Sequence, residues 1–325
     1  MRLLLLSGRR LATALPALLL ILAGLFLLLQ LAPGDTVDAL VAQVGGADPT
    51  MIEELRRYYA LDQSTSVRLW DYLWRLAHLD LGQSAIYGKP VASVIAERLP
   101  VTLLLMGTSL AFAIPVGMVL GIVSARRVNR WQDTVISLLG LLCYATPSFW
   151  FGLMGIFLFS IYLDWLPSGG FETIASGLTG WARVLDIAHH LVLPTLTLAL
   201  IFLAIYLRIM RASMLEVSTL DFVRTARAKG VPETRIVVRH VLRNALLPLV
   251  TLIGLQTGTM LGGSVVVESV FALPGLGRLA YESVMQRDLN TLLGIVFVSA
   301  LLVIAINFLV DLLYARLDPC IAGEG

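Results

Sequence analysis

Charge is what this sequence has least of. Of its 325 residues 14% are Asp, Glu, Lys or Arg, while 58% are hydrophobic; a soluble domain carries about 25% charged residues. So few charges cannot make a polar shell for a chain of this length, which leaves the bilayer as its solvent. Cysteine is nearly absent too. Cys143 falls in an apolar run and Cys320 near the end, too far apart in topology to pair. That excludes a disulfide framework and a cysteine-based zinc site. Lysine occurs at Lys89 and Lys229 alone, neither followed by Ser or Thr, so a phosphate-binding loop is missing. The apolar runs carry no charge midway, and His78, His189, His190 and His240 fall at or beyond their edges. This weighs against a proton-coupled transporter, which needs an intramembrane relay, and against an intramembrane protease, which needs a buried catalytic constellation.

What is present is hydrophobic length. Runs of about 20 residues, enough to cross a bilayer, occur near Leu11–Ala32, Val101–Val123, Thr134–Tyr162, Leu191–Met210, Ala245–Val267 and Leu289–Tyr314. The third is long for one span, and Thr146–Pro147 is expected to kink or break it. The first is too long for a signal peptide's core and lacks a small-x-small cleavage site, so it is expected to stay. With the N-terminus inside, 15 of the 24 Lys and Arg fall on inner segments, which puts both termini in the cytoplasm. The expected fold is an all-α integral membrane protein with six transmembrane helices.

Outside the membrane, Pro33 to Leu99 forms the largest segment. Thr50 to Glu53 reads as a capping box. Trp70, Leu73, Trp74 and Ala77 recur at helical spacing, which suits a helix lying at the outer headgroup level, a platform for an external partner, or both. The second outer segment, Asp164 to His190, reads as loop with one short helix. Adjacent His189 and His190 face different sides of a helix and make a poor metal pair. In the fifth run Gly254, Gly258 and Gly262 recur every four residues beside Gln256, Thr257, Thr259 and Ser264. A face so cleared lets another backbone approach closely; it serves either packing within the chain or a subunit interface or translocation path.

The longest inner loop follows the fourth run. Ser218 with Asp221 resembles a helix start, Arg227 and Lys229 suit a last turn, Gly230 is a natural left-handed terminator, and Pro232 can open the next helix. A helix of about eleven residues from Thr219 to Lys229, some 16 Å long, is the expectation, with Leu220, Val223 and Ala226 near one face and Phe222 beside them. Alone in water it is too short to be stable, so it must pack on something.

Asp221-Phe222-Val223-Arg224-Thr225-Ala226-Arg227-Ala228-Lys229-Gly230, followed by Arg239-His240-Val241-Leu242-Arg243-Asn244-Ala245-Leu246-Leu247-Pro248, resembles the coupling-loop signature of bacterial ABC-importer permeases in their oligopeptide, dipeptide and nickel branch. Arg224-Thr225-Ala226 stands where the wider superfamily has Glu-Ala-Ala, so no role passes from that glutamate to Arg224. Leu31-Ala32-Pro33-Gly34-Asp35, His78-Leu79-Asp80-Leu81-Gly82-Gln83-Ser84, Arg98-Leu99-Pro100-Val101-Thr102, Glu268 to Arg278 and Leu317-Asp318-Pro319 extend the likeness over some 300 residues in shared order.

The resemblance implies a type I importer permease: a terminal segment 1–99, a five-helix core 100–316 with coupling loop 211–244, and a tail 317–325. It implies peptides as cargo, with glutathione-like peptides or nickel chelates as the alternative. Implied partners are a homologous second permease, two cytosolic ATPase subunits holding ATP and Mg, an external solute-binding protein and the bilayer. No cofactor of its own and no nucleic acid are implied. Coupling residues would be Leu220, Asp221, Phe222, Arg224, Thr225, Ala226, Arg227, Gly230, Arg239 and His240. Gly254, Gln256, Gly258 and Gly262 would serve helix packing or the path.

Overall fold

The computed structural model describes residues 2–31, 34–43, 46, 48–59 and 61–317. Ala32, Pro33, Cys320 and the motif residues Asp318 and Pro319 lie outside them. Among the described residues all regular structure is helical: α1 (Arg2–Leu31), α2 (Thr36–Gln43), α3 (Pro49–Tyr58), α4 (Thr65–Ala77), α5 (Val91–Arg126), α6 (Trp131–Ala145), α7 (Ser148–Gly155), α8 (Gly180–Ser218), α9 (Asp221–Ala228), α10 (Glu233–Ile236), α11 (Leu242–Val270), α12 (Leu276–Met285) and α13 (Leu289–Leu317). Two π-helical stretches, Ile156–Tyr162 after α7 and Val237–Val241 between α10 and α11, continue their neighbours.

Four described helices are long and apolar enough to cross a membrane, or up to six when each of two bent pairs is counted as one span. One bent pair is α6 with α7 and its π-helical extension, turned by 101°. The break falls at Thr146 and Pro147, both extended, where proline lacks an N–H to continue the helix and disfavours helical geometry in the residue before it.

The chain divides into two compact units, Met1–Pro100 with Gly275–Ala305, and Val101–Pro274 with Ile306–Gly325. In the first, Leu18, Leu22 and Phe26 of α1 cluster with Tyr72 and Leu76 of α4 and with Leu293 and Phe297 of α13. Phe26 stacks on Tyr72 at 5.8 Å. The tryptophans point elsewhere: Trp70 is 66% and Trp74 59% exposed. The apolar face that buries is therefore Tyr72 and Leu76, not the Trp70–Trp74 face. The outer loop is tied down by polar contacts. The buried Asp288 carboxylate accepts from the Ser84 and Thr291 hydroxyls, Tyr87 donates to Glu282 at 3.2 Å, and Gly82 donates its N–H to Asp80 at 2.9 Å. Thr50 starts no capping box. The helix begins one residue earlier, at Pro49, with Asp48 before it, since proline is pre-set for a first helical position.

The second unit has its own core, which includes Leu105, Leu198, Tyr206, Met210, Leu249, Met260 and Phe271. Glycine sets the distance between α5 and α8. A Cβ on Gly121 would lie 2.7 Å from both the Leu207 carbonyl oxygen and Met210 Cβ, and one on Gly117 2.9 Å from the Leu203 carbonyl oxygen. Backbone approach this close needs residues without side chains. The outer loop before α8 is shorter than its composition suggests, because α8 starts at Gly180. Thr173 donates through N–H and hydroxyl to Asp186, both at 2.7 Å, and Arg183 pairs with Glu172 at 2.6 Å. The hydrogen bond from Arg183 holds the half-buried Glu172 carboxyl below its ordinary range.

Candidate functional site

The cytoplasmic loop folds into a short helix with two unlike faces. α9 covers eight residues and begins at Asp221, with Leu220 as the residue before it and no side-chain cap. The expected start at Ser218–Thr219 is wrong by two residues. Ser218 belongs to α8, whose last turn its hydroxyl closes by donating to the Met214 carbonyl at 2.6 Å. Short polar side chains compete for backbone in this way. The far end behaves as its residues predict. Gly230 takes φ +75°, its N–H reaches the Arg227 carbonyl at 2.9 Å and the Val231 N–H reaches Ala226 at 3.2 Å. That pair of bonds is the Schellman closure. Pro232 precedes the next helix rather than entering it.

Val223 is fully buried and Ala226 nearly so; both sit in the core cluster that also holds Met214, Val217, Ile236, Val237 and Val241. Burying Val223 contributes about 2 kcal/mol where the loop meets water. Leu220, expected beside them, stays 45% exposed. It lies before the helix, where the 100° step per residue does not apply. The outer face carries Phe222 at 41%, with Asp221 and Arg224 paired loosely at 3.6 Å and side chains 97% and 70% open. Thr225 donates to the Asp221 carbonyl at 2.9 Å. Arg227 forks onto Glu233, through Nε at 3.2 Å and Nη2 at 2.8 Å, which lowers the Glu233 carboxyl below its ordinary range. Both partners are largely exposed, so the pair contributes at most about 1 kcal/mol. Arg239, exposed, and His240, half-buried, lie in the π-helical stretch leading to α11.

The α11 glycines do not act together. A Cβ on Gly254 would meet Val310 Cγ1 at 3.0 Å and Asn307 Oδ1 at 3.4 Å, so this position packs on α13, whereas Gly262 has nothing within 4 Å. Gly258 and Gln256 are half-buried, and Gln256 accepts the Thr259 hydroxyl at 2.8 Å. His189 and His190 diverge as adjacency requires. His189 donates to the Trp165 carbonyl at 3.0 Å and His190 to Asp186 at 2.9 Å.

Two features went unnoticed in the sequence. The first is the Gly117–Gly121 face, which has the same spacing of four as the α11 stripe. The second is Asp133, 5% exposed, whose carboxylate accepts Arg211 through Nε at 2.7 Å and Nη2 at 2.8 Å. Arg211 had counted as one of many inner-side cations. Its partner lies 78 positions away, and nothing local announces the pair.

Residues 117–323 match the family of binding-protein-dependent transport system inner membrane components. The chain belongs to that family. It is a multi-pass inner membrane protein, and the relatives run its full length. A peptide transport system permease protein of Brucella abortus (strain 2308) is 42% identical over 311 residues, 96% of each chain. A glutathione transport system permease of Pectobacterium atrosepticum is 41% identical, covering 96% of this chain and 97% of that one. An oligopeptide transport system permease of Bacillus subtilis is 38% identical over the same shares. Among solved structures, the MetNI methionine ABC transporter in an inward-facing form matches with a TM-score of 0.55 at 18% identity, covering 69% of this chain and 96% of that chain. That likeness establishes the fold, a type I importer permease.

Proposed function

We propose that this family member is one permease subunit of an ATP-driven importer that carries short peptides inward across the cytoplasmic membrane. The observation that carries the reading is α9. A helix seated by Val223 and Ala226 while presenting Asp221, Phe222 and Arg224 outward has one face for its own chain and one for another protein. The sequence has no phosphate-binding loop, so the energy source is a partner: two cytosolic ATPase subunits with ATP and Mg, each gripping one coupling helix. A homologous second permease completes the path, with Gly262 on an open face of α11 available to it, and an external solute-binding protein delivers cargo.

ATP-driven closure of the ATPases displaces α9, and the spans rock between inward- and outward-open states. This requires ATP to favour one state over the other, the only way a ligand shifts such an equilibrium. The test is peptide-stimulated ATP hydrolysis and uptake by the reconstituted complex carrying Phe222→Ala or Gly230→Pro. Loss of coupled hydrolysis in both is expected; normal coupled hydrolysis in both would sink the assignment of α9.

Short peptides are the class common to the three relatives' names, and glutathione, itself a modified tripeptide, is the second reading that the Pectobacterium relative favours. Mass spectrometry of the ligand retained by the neighbouring binding protein, purified from cells, separates the two.

A further inference from the structure

A coupling helix is useful only if its seat is stiff. α9 follows α8 after Thr219 and Leu220, whose N–H groups bond back to Glu216 and Val217, each at 3.1 Å. Displacing α9 therefore pulls on the end of α8. Arg211 lies seven residues before that end, about 10 Å along the axis. Its guanidinium makes a two-pronged bond to Asp133 in the first turn of α6. The same carboxylate accepts the Ser124 hydroxyl from α5, the Asn129 N–H at 3.1 Å from the turn between α5 and α6, and the Ser137 hydroxyl at 3.4 Å. One carboxylate thus joins three spans at their cytoplasmic ends. Further along, Arg208 lies over the Tyr144 ring at 5.6 Å, a second tie between α8 and α6, and Gly117 and Gly121 hold α5 on α8.

Stability alone is a weak reason for such a group: Arg211 is 29% exposed, open ion pairs contribute little, and a well-packed apolar substitute for a buried charge pair is often as stable. What a forked ion pair adds is direction: its two parallel N–H···O bonds fix both the rotation and the slide of one helix against another. We propose that Asp133 and Arg211 are positioning residues that bind α5, α6 and α8 into one body with α9, so that displacement of the coupling helix reaches the spans instead of being lost at their cytoplasmic ends. The proposal rests on the reading of α9 as the coupling helix.

The test uses the full complex, with both permeases, the ATPases and the binding protein, in proteoliposomes. The readout is ATP hydrolysed per peptide imported, which loss of folded protein alone does not change. Asp133→Asn raises that ratio by about tenfold, a coupling loss of ordinary size, while basal hydrolysis stays at the wild-type rate. Arg211→Lys keeps the charge but loses the fork and falls between. An unchanged ratio in assembled Asp133→Asn overturns the proposal. Should that variant not assemble, spin labels at Trp131 and Glu216, on an otherwise wild-type chain lacking Cys143 and Cys320, decide instead. Their separation stays constant between nucleotide-free and ATP-trapped states if the spans move together, and a resolved change overturns the proposal. Failure of the coupling reading itself is separately visible, as normal coupled hydrolysis in Phe222→Ala and Gly230→Pro.

Discussion

Gly117 and Gly121 on α5 and Gly254, Gly258 and Gly262 on α11 share a spacing of four, yet they do different things. The α5 pair meets the backbone of α8 so closely that a methyl group on Gly121 would press on a carbonyl oxygen at 2.7 Å. The α11 set spreads its contacts: Gly254 touches side chains of α13, and Gly262 faces open space. In a membrane, apolar helices gain little by leaving lipid for one another, so close van der Waals contact decides which faces pair. A cleared face is permission to pack. It does not name the partner.

That comparison can be broken or sharpened by substitution. The largest effect is expected from Gly121→Leu. The side chain has no room against backbone, and overpacking at such a site costs about 3 kcal/mol or more; thermal unfolding of the detergent-solubilised permease should show it, and an unshifted midpoint would end the idea of a tight α5–α8 seam. The two faces of α9 repeat the contrast on a smaller scale. Val223→Ala should cost about 2 kcal/mol of local stability, read as faster hydrogen exchange across α9, while Phe222→Ala should leave exchange alone and act on ATPase attachment. Equal effects of the two on exchange would erase the distinction between the faces.

Gly230→Ala should cost about 1 kcal/mol, because alanine resists the left-handed conformation, again seen as fraying of α9. Smallest is Gly262→Ala, within about 0.5 kcal/mol of wild type for the isolated chain. If that face meets the second permease, co-purification of the two subunits weakens while the midpoint holds. A shifted midpoint in the isolated chain would instead make the α11 face an internal seam like that of α5.

Much of the molecule is legible in its sequence. Composition fixed the solvent, the apolar runs gave the spans, and Thr146–Pro147 marked the break in the third. Gly230 announced the end of α9, since glycine adopts left-handed backbone without the steric cost that a Cβ brings. The start of α9 was less legible, because Ser218 can serve either the helix behind it or the one ahead, and its bond to Met214 depends on how far α8 continues. α4 was half legible. The spacing of Trp70 and Trp74 marks the face that stays exposed, but nothing local says that Tyr72 and Leu76 pack with α1 and α13.

What the sequence determined by itself is whatever depends on local chemistry: a chain too poor in charge to live in water, its orientation, its helix stops, and a family likeness carried by ordered motifs. What the tertiary structure decided is whatever depends on partners distant along the chain. Asp133 is an unremarked acid and Arg211 one cation among several until folding sets them 2.7 Å apart, and the two glycine faces are equivalent until α8 lies against one of them. Pairing across 78 positions leaves no trace in spacing or composition, because the energy that selects it comes from burial and direction in the folded chain.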